Sequence, residues 1–367
     1  MKEKTFSMKR RVIAAIFTDL AVLAVFLVTF SYFHHVRVRD KGPTAIPSAV
    51  APTGNKPAPT VPPMAAVSSD EPVAAQPTPS NGDLEDSAGA PSADTGLLGG
   101  QYVDLFTAGE VVSDETHYQS ANVSVQIAEQ HTENATYFVA DIYIKDITSF
   151  RTAVALDYKE FNDNNRKNCM QVSQLSELTN AIVAISGDNY VFRNAGVLAI
   201  RNGLEWAKDM PFTDDICTLF YDGTMETFST NSSAACKQYV EAIYAKGPYQ
   251  VWCFGPSLLD ENGQPLTRFN SSVNTQNPRS AIGYYEPGHY CFILVDGRQK
   301  NYSIGLTLPE LSQVFHDLGC KVAYNLDGGD TVAMTFGLDM VNHPQDTVPR
   351  PVSDIVYVGE PQTNLEG

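Results

Sequence analysis

The sequence predicts an α+β fold, a mixed and mainly antiparallel sheet with a few helices, preceded by a single transmembrane helix and a disordered linker. Strand signals dominate from about Gly99 onward. Val123, Val125 and Ile127 alternate with polar residues, and "TYFVADIYI" follows after a polar break, which predicts a hairpin of half-buried strands. Turn chemistry repeats the message: Asp222-Gly223 sits between β-prone runs in "CTLFYDGTMETF", and Pro287-Gly288 does so in "SAIGYYEPGHYCFILVDG". Helices are fewer. The clearest is "TLPELSQVFHDLGC", in which Thr307 caps and Glu310 completes a capping box. Leu311, Val314, Phe315 and Leu318 share one face of it, and Gly319 closes the end. Ser233 to Lys246, ending at Gly247, is a second candidate helix, and Asn168 to Thr179 a third. The best helix runs into "KVAYNLDGG", a short apolar strand ending in paired glycines. Strand, helix, strand, glycine-rich turn and strand in succession favour α+β over a sandwich or a doubly wound parallel sheet.

Four segments follow from composition. Residues 1–11 hold Lys2, Lys4, Lys9, Arg10 and Arg11 against Glu3, a basic tail expected to be cytoplasmic. Residues 12–33 are almost wholly apolar and about the length that crosses a bilayer as a helix. Asp19 is the costly exception within that span. An uncleaved anchor is preferred to a cleavable signal peptide, because the apolar stretch is long and no small-x-small pair follows it before His34 and His35. The heavier basic cluster is N-terminal, which favours an extracytoplasmic C-terminal part at the cell membrane. Residues 34–98 are rich in Pro, Ala, Ser and Thr, and Lys41 to Thr95 holds half of the 22 prolines. Such a stretch buries too little apolar surface to offset its ordering entropy and reads as a tether. Residues 99–367 form the folded domain.

The formal net charge of −17 lacks the basic footprint of a nucleic-acid binder, so no nucleic-acid partner is expected. Six cysteines, Cys169, Cys217, Cys236, Cys253, Cys291 and Cys320, show no metal-type CxxC spacing. Their positions in apolar runs such as "VWCFG" and "HYCFILV" favour buried thiols, with disulfides as the alternative. No nucleophile elbow, Walker loop, HExxH or histidine cluster is present, so no cofactor is expected and no metal ligands are singled out, with a metal requirement left open.

Polar residues at strand ends remain. Ser186 and Asp188 follow "AIVAI", with Arg193 just beyond. Arg279 precedes "SAIGYY", Asp296 and Arg298 lie in "ILVDGRQ", and Asn325 and Asp327 close a strand before Gly328 and Gly329. Singly, each has an ordinary structural reading as a turn former or a cover for apolar surface. Together, an acid followed by two glycines lets a carboxylate face a ligand while backbone N–H groups bind its oxygen atoms. Carboxylates with arginines suit a substrate that joins a sugar to an anionic group.

From about Tyr143 to Val358 the chain resembles the phosphodiester glycosidase family. The carrying segments are "AISGDNYVFRNAGVLAIRNG", "NPRSAIGYY", "FILVDGRQKNYSIGLTLPELSQVFHDLGC" and "AYNLDGGDTVAMTFG", then "VNHPQD" and "RPVSDIVYV". The family commonly has Asn-Gly where this chain has Ser186-Gly187, and small residues where it has Asp330, Thr331 and Val332. The resemblance implies an extracytoplasmic hydrolase of sugar-1-phosphodiesters in an envelope or exopolysaccharide glycan. Asp327, Asp296 and Asp188 would then be catalytic, and Arg279, Asn325, Gly328, Gly329, Arg193, Arg298 and Ser186 would hold a glycan or sugar-phosphate substrate. Retention or inversion stays open, as does a non-catalytic glycan-binding role.

Overall fold

The structure is a computed structural model that describes residues 98, 100–155, 169–188, 198–208, 215–269, 271 and 273–361. The expected basic tail, membrane helix and nearly all of the linker lie outside the described residues, as does Arg193. Among the described residues, no helix is long and apolar enough to cross a membrane.

Among the described residues, seventeen strands, numbered in chain order, form three sheets in which every pairing is antiparallel. The first sheet runs β1 (Val112–Ser113), β2 (His117–Gln119), β3 (Val123–His131), β4 (Thr136–Ile144), β13 (His289–Val295), β12 (Arg279–Glu286), β14 (Val322–Asn325). The second runs β16 (Asp339–Met340), β15 (Met334–Phe336), β6 (Val183–Ser186), β17 (Asp354–Val358), β5 (Phe150–Val154). The third runs β10 (Met225–Phe228), β9 (Ile216–Phe220), β11 (Pro248–Trp252), β7 (Leu198–Arg201), β8 (Leu204–Lys208). The hairpins at residues 131–136, 220–225 and 286–289 fall where the turn residues place them.

Period-two alternation explains the assembly, because each strand serves two cores. On β13, Tyr290, Phe292 and Leu294 enter a central core, while Cys291, Ile293 and Val295 face outward into a second cluster. Val183, Ile185, Val356 and Val358 bring the second sheet to the same central core, and Cys217, Leu219, Tyr249 and Trp252 bring the third. Each outer face is then covered by one helix. Helix α1 (Val172–Thr179) packs Val172 and Leu175 on the second sheet, α2 (Ser233–Lys246) packs Cys236, Val240 and Ile243 on the third, and α3 (Leu308–Asp317) packs Leu308, Leu311 and Phe315 on the first.

Helices α2 and α3 begin and end where their capping residues predict: Thr307 and Glu310 form the reciprocal box, and Gly247 takes the left-handed conformation after α2. Helix α1 starts later than expected. Met170 is bridged to Val352 through both backbone hydrogen bonds, so the chain is still extended there, and the helix starts only after Gln171, which makes its own capping box with Gln174. The second and third sheets are also locked through buried polar groups. Asn202 Oδ1 accepts from Thr152 N at 3.0 Å, its Nδ2 donates to Thr152 O at 2.9 Å, and Gln250 Oε1 accepts from Asn202 N at 3.0 Å.

The packing of α3 on the first sheet is directly testable. Leu311→Ala removes a fully buried side chain from the outer cluster and is expected to cost about 2–5 kcal/mol in urea-induced unfolding. A change within error would mean that α3 is not needed to cover that face.

Candidate active site

Three strand ends meet where the sheets converge, and one arginine joins them. Arg201, the last residue of β7, is buried with both of its carboxylate partners. Its Nη2 lies 3.1 Å from Asp188 Oδ2, just past β6, and its Nε lies 3.0 Å from Asp354 Oδ2, the first residue of β17. Its Nη1 donates to the carbonyls of Ile200 and Val251. Asp188 accepts further from Cys253 N at 3.0 Å, and its own N–H donates to Asp354 Oδ1 at 2.6 Å. One cation thus serves two carboxylates away from water. Burial pushes the Asp354 carboxyl up; Arg201 opposes that shift, and the neighbouring Asp188 adds to it.

This cluster holds the Asp327 loop by its backbone. Asp354 O accepts from Gly187 N at 3.1 Å, and Gly187 O accepts from Asp327 N at 2.8 Å. Ser186 Oγ donates to Asp327 O at 3.1 Å, and Ser280 Oγ donates to Ser186 O at 2.7 Å. Glycine is required at two of these approaches. A Cβ on Gly187 would run into the Asp354 carboxylate, and one on Gly328 would lie 2.6 Å from Pro278 O. Gly329, at φ +69°, donates its N–H to Pro278 O at 3.0 Å, so that amide is occupied by the fold.

The Asp327 side chain itself stands at the edge of solvent. It is 11% exposed, and it pairs with Arg350, whose 40% exposed side chain brings Nη2 to 3.4 Å from Oδ2. Burial pushes its pKa up to about 6; Arg350 works against this, and nearby Asp188 reinforces it. Arg350 N donates to Asp330 O at 2.7 Å, which ties that arginine to the turn after Gly329. Cys169 belongs to the same neighbourhood. Burial raises its thiol pKa, and the charges of Arg350, Asp327 and Asp354 all reach it.

Other residues proposed from sequence are placed differently. Arg298 pairs with Asp330 and Asn277 Oδ1 and lies against Gly329, on the flank of the Asp327 turn. Arg279 is buried and turned to the α3 side of β12. Its Nε donates to Leu306 O at 2.9 Å, and its Nη2 donates to Val273 O and Thr275 O. Burial lowers its pKa to about 10. Asn325 Nδ2 donates to Gly255 O at 2.8 Å, behind the strand end. Asp296 is buried and fully engaged: Asn342 Nδ2, His343 N and Tyr302 Oη donate to its carboxylate at 2.8, 2.8 and 3.0 Å. The structure therefore brings Ser186, Asp188 and Asp327 together, with Arg298 beside them. Arg279 and Asn325 act on the surrounding backbone, and Asp296 is engaged by the Asn342 and Tyr302 side chains and the His343 amide. Among the described residues no group of three or more metal-ligating side chains occurs.

Residues 179–359 match the family model described as phosphodiester glycosidase, a family of hydrolases. That segment is similar to phosphodiester glycosidases. The fold of this domain resembles the zebrafish N-acetylglucosamine-1-phosphodiester alpha-N-acetylglucosaminidase catalytic domain auto-inhibited by pro-peptide, with a TM-score of 0.52 and 17% identity over 68% of this chain and 88% of that one. A hypothetical protein from Synechocystis matches with a TM-score of 0.43 and 13% identity over 68% of this chain and 64% of that one. The SPbeta prophage-derived uncharacterized protein YomE of Bacillus subtilis (strain 168) is 23% identical over 278 residues, 70% of this chain. The chain spans 41% of that relative's length.

Three residues central to this cluster escaped the sequence reading. Arg201, Asp354 and Arg350 all lie in the family-like segments "LAIRNG" and "RPVSDIVYV", but each follows or precedes a turn and looks there like a strand-end charge. Their spacing gives no sign that 153 residues separate two halves of one ion pair.

Removing Arg201 tests the cluster. Arg201→Met leaves Asp188 and Asp354 buried without their shared cation, at an expected cost of about 3–5 kcal/mol. The sign of the pH dependence is fixed. Burial raises the folded Asp354 pKa above its unfolded value and Arg201 no longer opposes it, so this contribution to stability is greatest at low pH and is lost as pH rises above roughly 4. Chemical denaturation at about pH 5 and about pH 8 should show the larger deficit at the higher pH. An equal deficit at both would exclude the ionic role.

Proposed function

We propose that this protein hydrolyses a sugar-1-phosphodiester at the anomeric carbon. The observation that carries the proposal is the Asp327–Arg350 pair, an acid desolvated enough to hold its pKa near 6 and set 3.4 Å from a half-exposed guanidinium. A phosphate monoester is a good leaving group, so the site needs little proton donation. It must hold the phosphate and meet positive charge developing at the sugar. Arg350, with Arg298 on the flank, offers the guanidinium fork for phosphate oxygens. Asp327 acts on the anomeric centre as nucleophile or as base for water, with Asp188 behind it.

The resemblance of the sequence, the family match and the zebrafish enzyme's named activity support this substrate class. The apolar stretch 12–33 and the proline-rich stretch after it support an anchored, extracytoplasmic enzyme working on an envelope or exopolysaccharide glycan.

Two measurements test it. The purified protein should release sugar from a chromogenic sugar-1-phosphodiester, with solvent oxygen entering the sugar and not the phosphate. Binding without release would leave a glycan-binding role, and oxygen in phosphate would point to phosphorus–oxygen cleavage. Asp327→Asn should lower kcat by at least about a hundredfold. Because Asp327 is an acid whose folded pKa is raised from 3.8 to about 6, its charge costs stability above that pH, so the amide variant should be no less stable than the parent near neutrality. Loss of activity is then separable from unfolding.

The pH profile gives a further check. If the ionised Asp327 is required, kcat/KM should fall about tenfold per unit below a midpoint near 6 and stay level above it. A profile that falls instead as pH rises through 6 would assign the residue to the acid form.

A further inference from the structure

On the outer face of the first sheet, away from Asp327, two sulfurs face each other. Cys291 Sγ, on β13, and Cys320 Sγ, just beyond α3, are 3.7 Å apart, and both residues are buried. They lie in the apolar cluster that α3 forms with the sheet. Gly283, opposite Cys291 on β12, leaves the space for them: a Cβ there would stand 2.7 Å from one sulfur and 2.9 Å from the other. All six cysteines are thiols in this structure.

We propose that Cys291 and Cys320 are a disulfide-forming pair, closed when the chain folds in oxidising surroundings. The sulfurs must approach by less than 2 Å to reach bonding distance of about 2.05 Å, a step within reach of side-chain rotation in this pocket. The reaction is thiol–disulfide exchange with a small or protein disulfide as oxidant. One cysteine thiolate attacks the oxidant's disulfide and expels a thiolate. The second cysteine thiolate attacks the mixed disulfide and expels the other. Both protons of the cysteine thiols pass to the departing thiolates, two cysteines are oxidised and one disulfide is reduced to two thiols.

The bond would close a loop of 29 residues in sequence separation that includes all of α3. It would also pin the start of β14, the strand that delivers Asn325 and Asp327. Constraint of that loop in the unfolded chain is the stabilising effect. The proposal stands apart from the glycosidase reading, since neither cysteine touches the Asp327 cluster.

The full-length protein is equilibrated during refolding with oxidised and reduced glutathione, alkylated under denaturing conditions without reductant, and digested. A disulfide-linked peptide pair containing Cys291 and Cys320 is expected, with thermal unfolding lowered by roughly 5–10 °C on reduction. Cys320→Ser should abolish both the linked pair and the reductant-dependent shift. Should that variant fold poorly, Cys291→Ala, which removes the other sulfur, serves the same end. Recovery of Cys291 and Cys320 as separately alkylated peptides from the refolded parent, or of either one linked to a different cysteine, would overturn the proposal.

Discussion

A single buried guanidinium between two carboxylates holds this molecule's sheets in register. Arg201 ends a strand of the third sheet, while Asp188 and Asp354 flank strands of the second, and the three have almost no contact with water. Taking such charges out of solvent costs several kcal/mol per ion, so the arrangement persists only where geometry and extra hydrogen bonds are good. Here Cys253 N, Asp188 N and the Val251 carbonyl supply those bonds. An ion pair with this many partners gives little net stability but tolerates few alternatives, which suits a place where three strand ends must meet in one way.

What the cluster positions is a third carboxylate in a more open setting. Asp188 and Asp354 share a fully buried cation at close range; Asp327, joined to them through the Gly187 backbone, has a longer contact to a half-exposed arginine. Burial pushes the Asp327 pKa up to about 6, as it also raises that of Asp354. Holding an acid in that state runs against stability and is the kind of local cost that folds carry at sites of chemistry. The surrounding serines and glycines bind the loop through its backbone, so the side chain need not serve as a structural tie.

The glycine pair after Asp327 has a double explanation. Gly328 lets the backbone pass Pro278 at a distance that a side chain would block, and Gly329 takes the left-handed conformation and packs against Arg298. Close approach is to the protein's own β12 entry. The turn is thus pinned to the first sheet, while Gly187 pins it to the second.

Local chemistry alone determined the antiparallel α+β class, the three helices and the hairpins at Asp222-Gly223 and Pro287-Gly288, because period, capping and turn residues act over a few positions. It also singled out Ser186, Asp188 and Asp327 as strand-end polar groups. The division into three sheets around one core was decided by tertiary structure, since β5, β6 and β17 pair across about two hundred residues and no local pattern encodes that choice. Side-chain direction was decided there too: Arg279 and Ser280 are adjacent in sequence, yet the pleat turns one toward α3 and the other toward Ser186. Arg201 and Arg350 became site residues only when distant strand ends were brought together, because a charge gains its partner, and its altered acidity, from the fold and not from its neighbours in the chain.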